Sequence, residues 1–226
     1  MCIRDRFTAL ARASERRVSE FKPQDLANIA VAFANVNRPD EKLFTAFARA
    51  AERQVCEFKP QELANTSSAF ATLKRKDEKL FAALARAAER RVSEFNEQNL
   101  ANTAWAFATV NQPHEKLFAA LARRAERQVS EFKPQDHGNV AWVFATVNRP
   151  AEKLFAALAT AAEQQLSEFK PHGLVKTAWA FATLGHSEDK LFGALARAAE
   201  RQVSDFNLQD FAMTFWAFCW YSVVSK

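Results

Sequence analysis

Residues 21–28 read Phe-Lys-Pro-Gln-Asp-Leu-Ala-Asn, and residues 58–65 read Phe-Lys-Pro-Gln-Glu-Leu-Ala-Asn. The leading phenylalanine recurs as Phe21, Phe58, Phe95, Phe132, Phe169 and Phe206, each 37 residues after the last. A second marker, Lys-Leu-Phe, recurs at 42–44, 79–81, 116–118, 153–155 and 190–192. A fixed period over six copies is the mark of a repeat architecture. The chain holds five full repeats, with a half repeat before them and a half repeat after.

All seven prolines fall at two places in the repeat. Pro23, Pro60, Pro134 and Pro171 follow the marker phenylalanine by two residues. Pro39, Pro113 and Pro150 precede Lys-Leu-Phe by a few. Proline suits the first turn of a helix, where its missing N–H costs nothing. Each repeat therefore starts two helices. Helix A is expected from about Pro23 to Val36 and helix B from about Pro39 to Cys56. Acidic residues follow both starts (Asp25; Asp40 and Glu41), which suits the positive end of a helix dipole.

Periodicity agrees. At 100° per residue, helix A groups Leu26, Ala30 and Phe33, and helix B groups Leu43, Phe44, Phe47, Ala51 and Val55. One such pair cannot bury its apolar face, whereas stacked neighbours can. The expected fold is all-α, an α-solenoid of 37-residue two-helix repeats over residues 7–218. Residues 1–6 fit no repeat position and read like the translation of a sequencing-library adapter. Residues 219–226 are off-pattern.

Composition excludes the other classes. Four Gly plus seven Pro are less than half the roughly 12% of average usage, too few for an all-β chain with a turn every 8–12 residues. With 49% hydrophobic residues, the chain is not disordered. No run nears the ~18 apolar residues of a membrane span. Three cysteines make no disulfide framework.

No enzyme constellation stands out, and no cofactor or metal is expected. His114, His137, His172 and His186 sit at different repeat positions without ligand spacing. His137 occupies the Leu26 column and reads as a core substitution. Cys56 stands where other copies carry Ser.

The informative feature is the other side of helix A. Gln24, Asn28, Val31 and Asn35 fall within about 60° of one another on a helical wheel. Later copies read Gln61, Asn65, Ser68, Thr72; Gln98, Asn102, Trp105, Thr109; Gln135, Asn139, Trp142, Thr146; and His172, Lys176, Trp179, Thr183. The last half repeat reads Gln209, Met213, Trp216, Trp220. An indole face can stack a base, and an amide can hydrogen-bond its edge. Trp105, Trp142, Trp179 and Trp216 are the candidate stacking residues. Gln24, Asn28, Gln61, Asn65, Gln98, Asn102, Gln135, Asn139 and Lys176 are the candidate base-edge residues. Lys22, Lys59, Lys133 and Lys170 precede helix A, where a lysine and a helix N-terminus together suit a phosphate.

Helix B carries a basic row, such as Lys42, Arg49 and Arg53 or Lys79, Arg86 and Arg90. Acids offset it: net charge by repeat is 0, +3, 0, −1 and +1. A solvated face is the better reading of that row. The second repeat stands apart, with Lys74, Arg75, Lys76 and Arg91 adding charge. The whole chain carries +5, a mild lean towards a polyanion.

The string Leu-Ala-Asn-Thr-Ala-Trp-Ala-Phe-Ala-Thr (100–109) and its copies resemble the helical-repeat proteins of organelles: the octotricopeptide, heptatricopeptide and FAST-kinase-like proteins. They are also similar to helical-repeat subunits of the kinetoplastid RNA-editing substrate-binding complex. The resemblance spans residues 7–218. It implies single-stranded RNA as partner, alongside protein partners of an RNA-processing complex, in a mitochondrion or chloroplast, with no membrane role. Two rivals use the same residues. An armadillo-like solenoid would hold an extended peptide on its Asn and Trp side chains, and a scaffold would bury the Trp between repeats.

Overall fold

The computed structural model describes residues 3–38, 40–112, 114–148, 151–185 and 188–224. Pro39, Pro113, Pro150, His186 and the first two residues of the 1–6 segment lie outside the described residues. Among those described there are only helices, turns and loops, with no strand. The chain forms two compact units, residues 1–120 and 121–226.

The first unit holds α1 (Ile3–Arg16), α2 (Pro23–Asn35), α3 (Glu41–Gln54), α4 (Pro60–Thr72), α5 (Glu78–Arg91), α6 (Glu97–Thr109) and the start of α7 (Glu115–Gln128). The second holds the rest of α7, then α8 (Pro134–Thr146), α9 (Glu152–Gln165), α10 (Pro171–Thr183), α11 (Asp189–Arg201) and α12 (Leu208–Val224). Helix α12 runs on through residues 219–224, where the repeat pattern fails. In the first unit α2, α4 and α6 pack in one row and α1, α3 and α5 in another. In the second, α8, α10 and α12 form one row, with α9 and α11 beside each other. The A helices α2, α4, α8 and α10 also meet the B helix that follows each of them. This stacking of two-helix units is an α-solenoid.

The residues explain the rows. Leu26, Ala30, Phe33, Leu43, Phe44, Phe47 and Ala51 are all buried, as periodicity predicts, and Val55 is half-buried. Alanines such as Ala27, Ala34, Ala64 and Ala71 let A helices approach closely. Phenylalanines then lock one repeat to the next. The pairs Phe44–Phe70, Phe81–Phe107 and Phe155–Phe181 all meet edge-to-face with ring centres 5.1 Å apart. Each such pair adds about 0.5–1.5 kcal/mol beyond its buried area.

The turns are equally regular. Helix α2 ends with Asn37 at φ 50°, and the Asn37 and Arg38 N–H groups donate to the carbonyls of Ala34 and Phe33 at 2.9 and 3.0 Å. That is the Schellman pattern, which needs a residue tolerant of positive φ. Lys74, Asn111, Asn148 and Gly185 repeat it at φ 54°, 53°, 49° and 68°. Helix B starts two residues later than Pro39 because Asp40 caps it, its carboxylate accepting from the Leu43 N–H at 3.0 Å. It also stops short of Cys56. Residues Val55–Glu57 tighten into a 3-10 turn, and so do Val92–Glu94 and Leu166–Glu168. Such a turn satisfies carbonyls that an α-helix end would orphan.

A clamp between repeats has no counterpart in the sequence reading. Gln54 Nε2 donates to the Phe21 carbonyl at 3.2 Å, Arg91 to Phe58 at 2.6 Å, and Gln202 to Phe169 at 2.9 Å. A side chain at the end of α3, α5 and α11 thus secures the turn one repeat earlier.

Candidate nucleic-acid interface

In the first unit the A-helix N-termini build a polar cleft. It encloses about 440 Å³ and is lined by Lys59, Pro60, Gln61, Asn65, Glu94, Asn96, Gln98, Asn99 and Asn102. That volume is in the usual range of ligand sites, roughly 300–1,000 Å³. Five of the candidate residues converge here, namely Lys59, Gln61, Asn65, Gln98 and Asn102. Gln61 and Gln98 are exposed, while Asn65 and Asn102 are half-buried. Asn96 and Asn99 join them from outside the stripe. Asn96 caps α6 through its side-chain oxygen, 2.8 Å from the Asn99 N–H. Gln61 and Asn65 on α4, facing Gln98, Asn99 and Asn102 on α6, thus supply amide donors and acceptors side by side. Gln24 and Asn28 are exposed on α2. Trp105 is half-buried on α6.

In the second unit the Trp column forms a ladder. Trp142 and Trp179 have ring centres 6.3 Å apart at 38°, and Trp179 and Trp216 are 5.9 Å apart at 34°. Trp220 lies parallel to Trp216, at 5.8 Å and 6°. Trp142 and Trp179 are half-buried, whereas Trp216 and Trp220 are 42% and 46% exposed. A ring sandwiched between two others needs about 7 Å, two contact distances. The inner rungs are closer than that, so they offer their solvent edges, and the exposed end at Trp216 and Trp220 offers more.

Lys176 belongs to this ladder. Its ammonium donates to the Asn139 side-chain oxygen at 3.0 Å and lies 5.8 Å from the Trp142 ring centre. Burial pushes its pKa below the ordinary lysine value. Gln135 is exposed and Asn139 half-buried on α8. His172, in the Gln column, has its Nδ1 3.4 Å from a carboxylate oxygen of buried Asp210.

The four lysines before helix A are exposed, but their surroundings differ. The backbone N–H of Lys22 donates to Asp25 at 3.0 Å, that of Lys59 to Glu62 at 2.7 Å, and that of Lys133 to Asp136 at 3.1 Å. Three of these helix starts are therefore occupied by a carboxylate. Lys170 differs, because the first turn of α10 holds no acid and Gly173 stands in the acid's place.

Among the described residues no group of three or more His, Cys, Asp and Glu side chains is arranged to hold a metal ion. Cys56 and Cys219 are exposed free thiols. His137 is buried between Phe132 and Phe169, and His114 packs against Phe107. Lys42, Arg49, Arg53, Lys79, Arg86 and Arg90 are all exposed on the B helices. No described helix is long and apolar enough to cross a membrane.

No curated protein matches the chain. The sequence model of one family, RESC6, RNA-editing substrate-binding complex 6 protein, matches residues 3–225. That match takes in both helical units and the whole candidate interface, and the chain belongs to this family.

Proposed function

We propose that this protein is a non-enzymatic, single-stranded RNA-binding α-solenoid that works inside an RNA-editing complex in the mitochondrion. The family name supplies the complex, and the likeness to organellar helical-repeat proteins supplies the compartment. The observation that carries RNA binding is the amide cleft, where Gln61, Asn65, Gln98 and Asn102 meet beside Lys59. A base edge entering the cleft finds amide donors and acceptors from both walls. In the first unit the rim of Trp105 adds flat apolar surface for a further base, and in the second unit the rims of Trp142 and Trp179 and the open end at Trp216 offer such surface of their own.

Because the inner tryptophans are half-buried against each other, replacing them would disturb folding as well as binding. The exposed cleft amides give a cleaner test. Gln61→Ala with Gln98→Ala should weaken binding of a random single-stranded RNA about tenfold, about 1.4 kcal/mol, and leave the thermal melt unchanged. Wild-type binding that the double variant matches would remove the cleft as the site.

The peptide-binding solenoid remains the second reading. The carboxylates Glu62 and Glu94 beside the cleft are what favours it, since they would repel phosphates and suit a peptide backbone. Salt separates the two: RNA affinity falls steeply as salt rises, and affinity for a neutral peptide does not.

A further inference from the structure

Residues 74–79 read Lys-Arg-Lys-Asp-Glu-Lys, a net +2, at the turn between α4 and α5. The same segment sums to 0, 0, +1 and −1 in the other four repeats (37–42, 111–116, 148–153, 185–190). Two of these lysines stand where the turn itself favours another residue. Lys74 holds φ 54°, a left-handed conformation that side chains other than Asn resist. Other copies use Asn37, Asn111, Asn148 and Gly185 there. Lys76 stands where three copies place a proline before helix B. Strain kept at an exposed turn points towards function.

The loop is also prepared for contact. Arg75 is half-buried, with its guanidinium 5.8 Å from the Phe44 ring centre and its backbone N–H donating to the Phe70 carbonyl at 2.9 Å. That anchors the turn and leaves Lys74 and Lys76 exposed. One Asp77 oxygen is engaged in capping α5 through the Leu80 N–H. The loop and the amide cleft share a helix. Gln61 and Asn65 of α4 line the cleft, and the polar row continues through Ser68 to exposed Thr72. At 1.5 Å per residue the row spans about 20 Å from Gln61 to Lys74.

We propose that the Lys74–Lys76 loop is a phosphate-contact site for the RNA whose base edge enters the amide cleft. Beside the cleft, the strand then follows α4 towards Lys74 and Lys76. The proposal rests on the RNA-binding reading. A run of point charges beside a row of amides and hydroxyls fits a strand that alternates phosphates with hydrogen-bonding bases.

The test uses the full chain and a fluorescein-labelled random single-stranded RNA of about 16 nucleotides. The variant Lys74→Asn with Lys76→Pro installs the residues that other repeats carry, so the fold is kept. Two lost phosphate contacts should lower the slope of log affinity against log salt by about 1.4 and weaken low-salt binding tenfold or more. Arg197→Gln with Arg201→Gln removes two charges from the exposed face of α11 and should leave the slope alone. A slope unchanged in the loop variant, with wild-type binding intact, overturns this proposal and leaves the RNA reading standing. Equal loss in both variants means diffuse charge and also overturns it. No binding by the wild type overturns both.

Discussion

The Lys176 ammonium reaches back one repeat to the side-chain oxygen of Asn139, 3.0 Å away, and sits over the Trp142 ring. Lysine stands here in a column that holds Asn28, Asn65, Asn102 and Asn139 in the preceding copies. An amide ladder has thus gained a charge, and burial disfavours that charge. The hydrogen bond and the ring contact offset the lost water. Asn139→Ala should lower stability by about 1 kcal/mol, less than the usual value for a charged hydrogen bond because the ammonium is half-exposed. A double-mutant cycle with Lys176→Met, read by urea unfolding, should give a coupling of about 0.5–1 kcal/mol. Zero coupling would mean that the contact contributes nothing.

His137 makes stability depend on pH. It replaces the leucine of Leu26, Leu63, Leu100 and Leu174, and its ring lies 6.0 Å from Phe169 at 17°. Burial pushes its pKa down to about 4, with the Gln165 side chain acting weakly the other way. Neither ring nitrogen makes a hydrogen bond of ordinary geometry. The unfolded chain protonates nearer 6.5, so between those values it binds a proton that the folded state refuses. Stability is then full above pH 6.5 and falls as pH drops towards 4, by on the order of 3 kcal/mol in total. His137→Leu should flatten this part of the profile. Urea midpoints at pH 7.5 and pH 5 decide it. Equal pH dependence in wild type and variant would clear His137 of the effect.

What the sequence made legible, and what it did not, follows from range. The helix pairs could be read because Pro23 and Lys-Leu-Phe mark local starts, and the Leu26–Ala30–Phe33 face because burial there obeys one helix's period. The carboxylate of Asp25 on the Lys22 N–H was within reach too. An acid three residues after a helix start is half of a capping box, and that carboxylate sits where a phosphate at the helix start would compete with it. The ladder spacing was out of reach. Whether Trp179 meets Trp216 or a ligand depends on how closely α10 and α12 approach, which small residues along the row decide together. Lys176 bending back to Asn139 is likewise a contact across 37 residues.

Close approach gives two glycines opposite futures. In the Gly138 column stand Ala27, Ala64 and Ala101, and in the Gly193 column Ala82, Ala119 and Ala156. Each glycine lies inside a helix, where alanine is favoured by about 1 kcal/mol. A Cβ on Gly193 would meet only the flexible end of Arg197 at 3.6 Å. Gly193→Ala should therefore stabilise the fold by up to about 1 kcal/mol. A Cβ on Gly138 would lie 3.0 Å from the backbone oxygen of Gly173 and 3.4 Å from both Lys176 Cβ and Thr177 Oγ1. Backbone cannot swing aside as a side chain can, so α8 and α10 must part. Overpacking costs typically 1–3 kcal/mol, which exceeds the helix-propensity gain. Gly138→Ala should destabilise by about 1 kcal/mol and loosen the contact that holds Lys176 near Asn139. Thermal unfolding of the two variants side by side is the measurement. If Gly138→Ala is stabilised as Gly193→Ala is, the approach of α8 to α10 is not set by the missing methyl group.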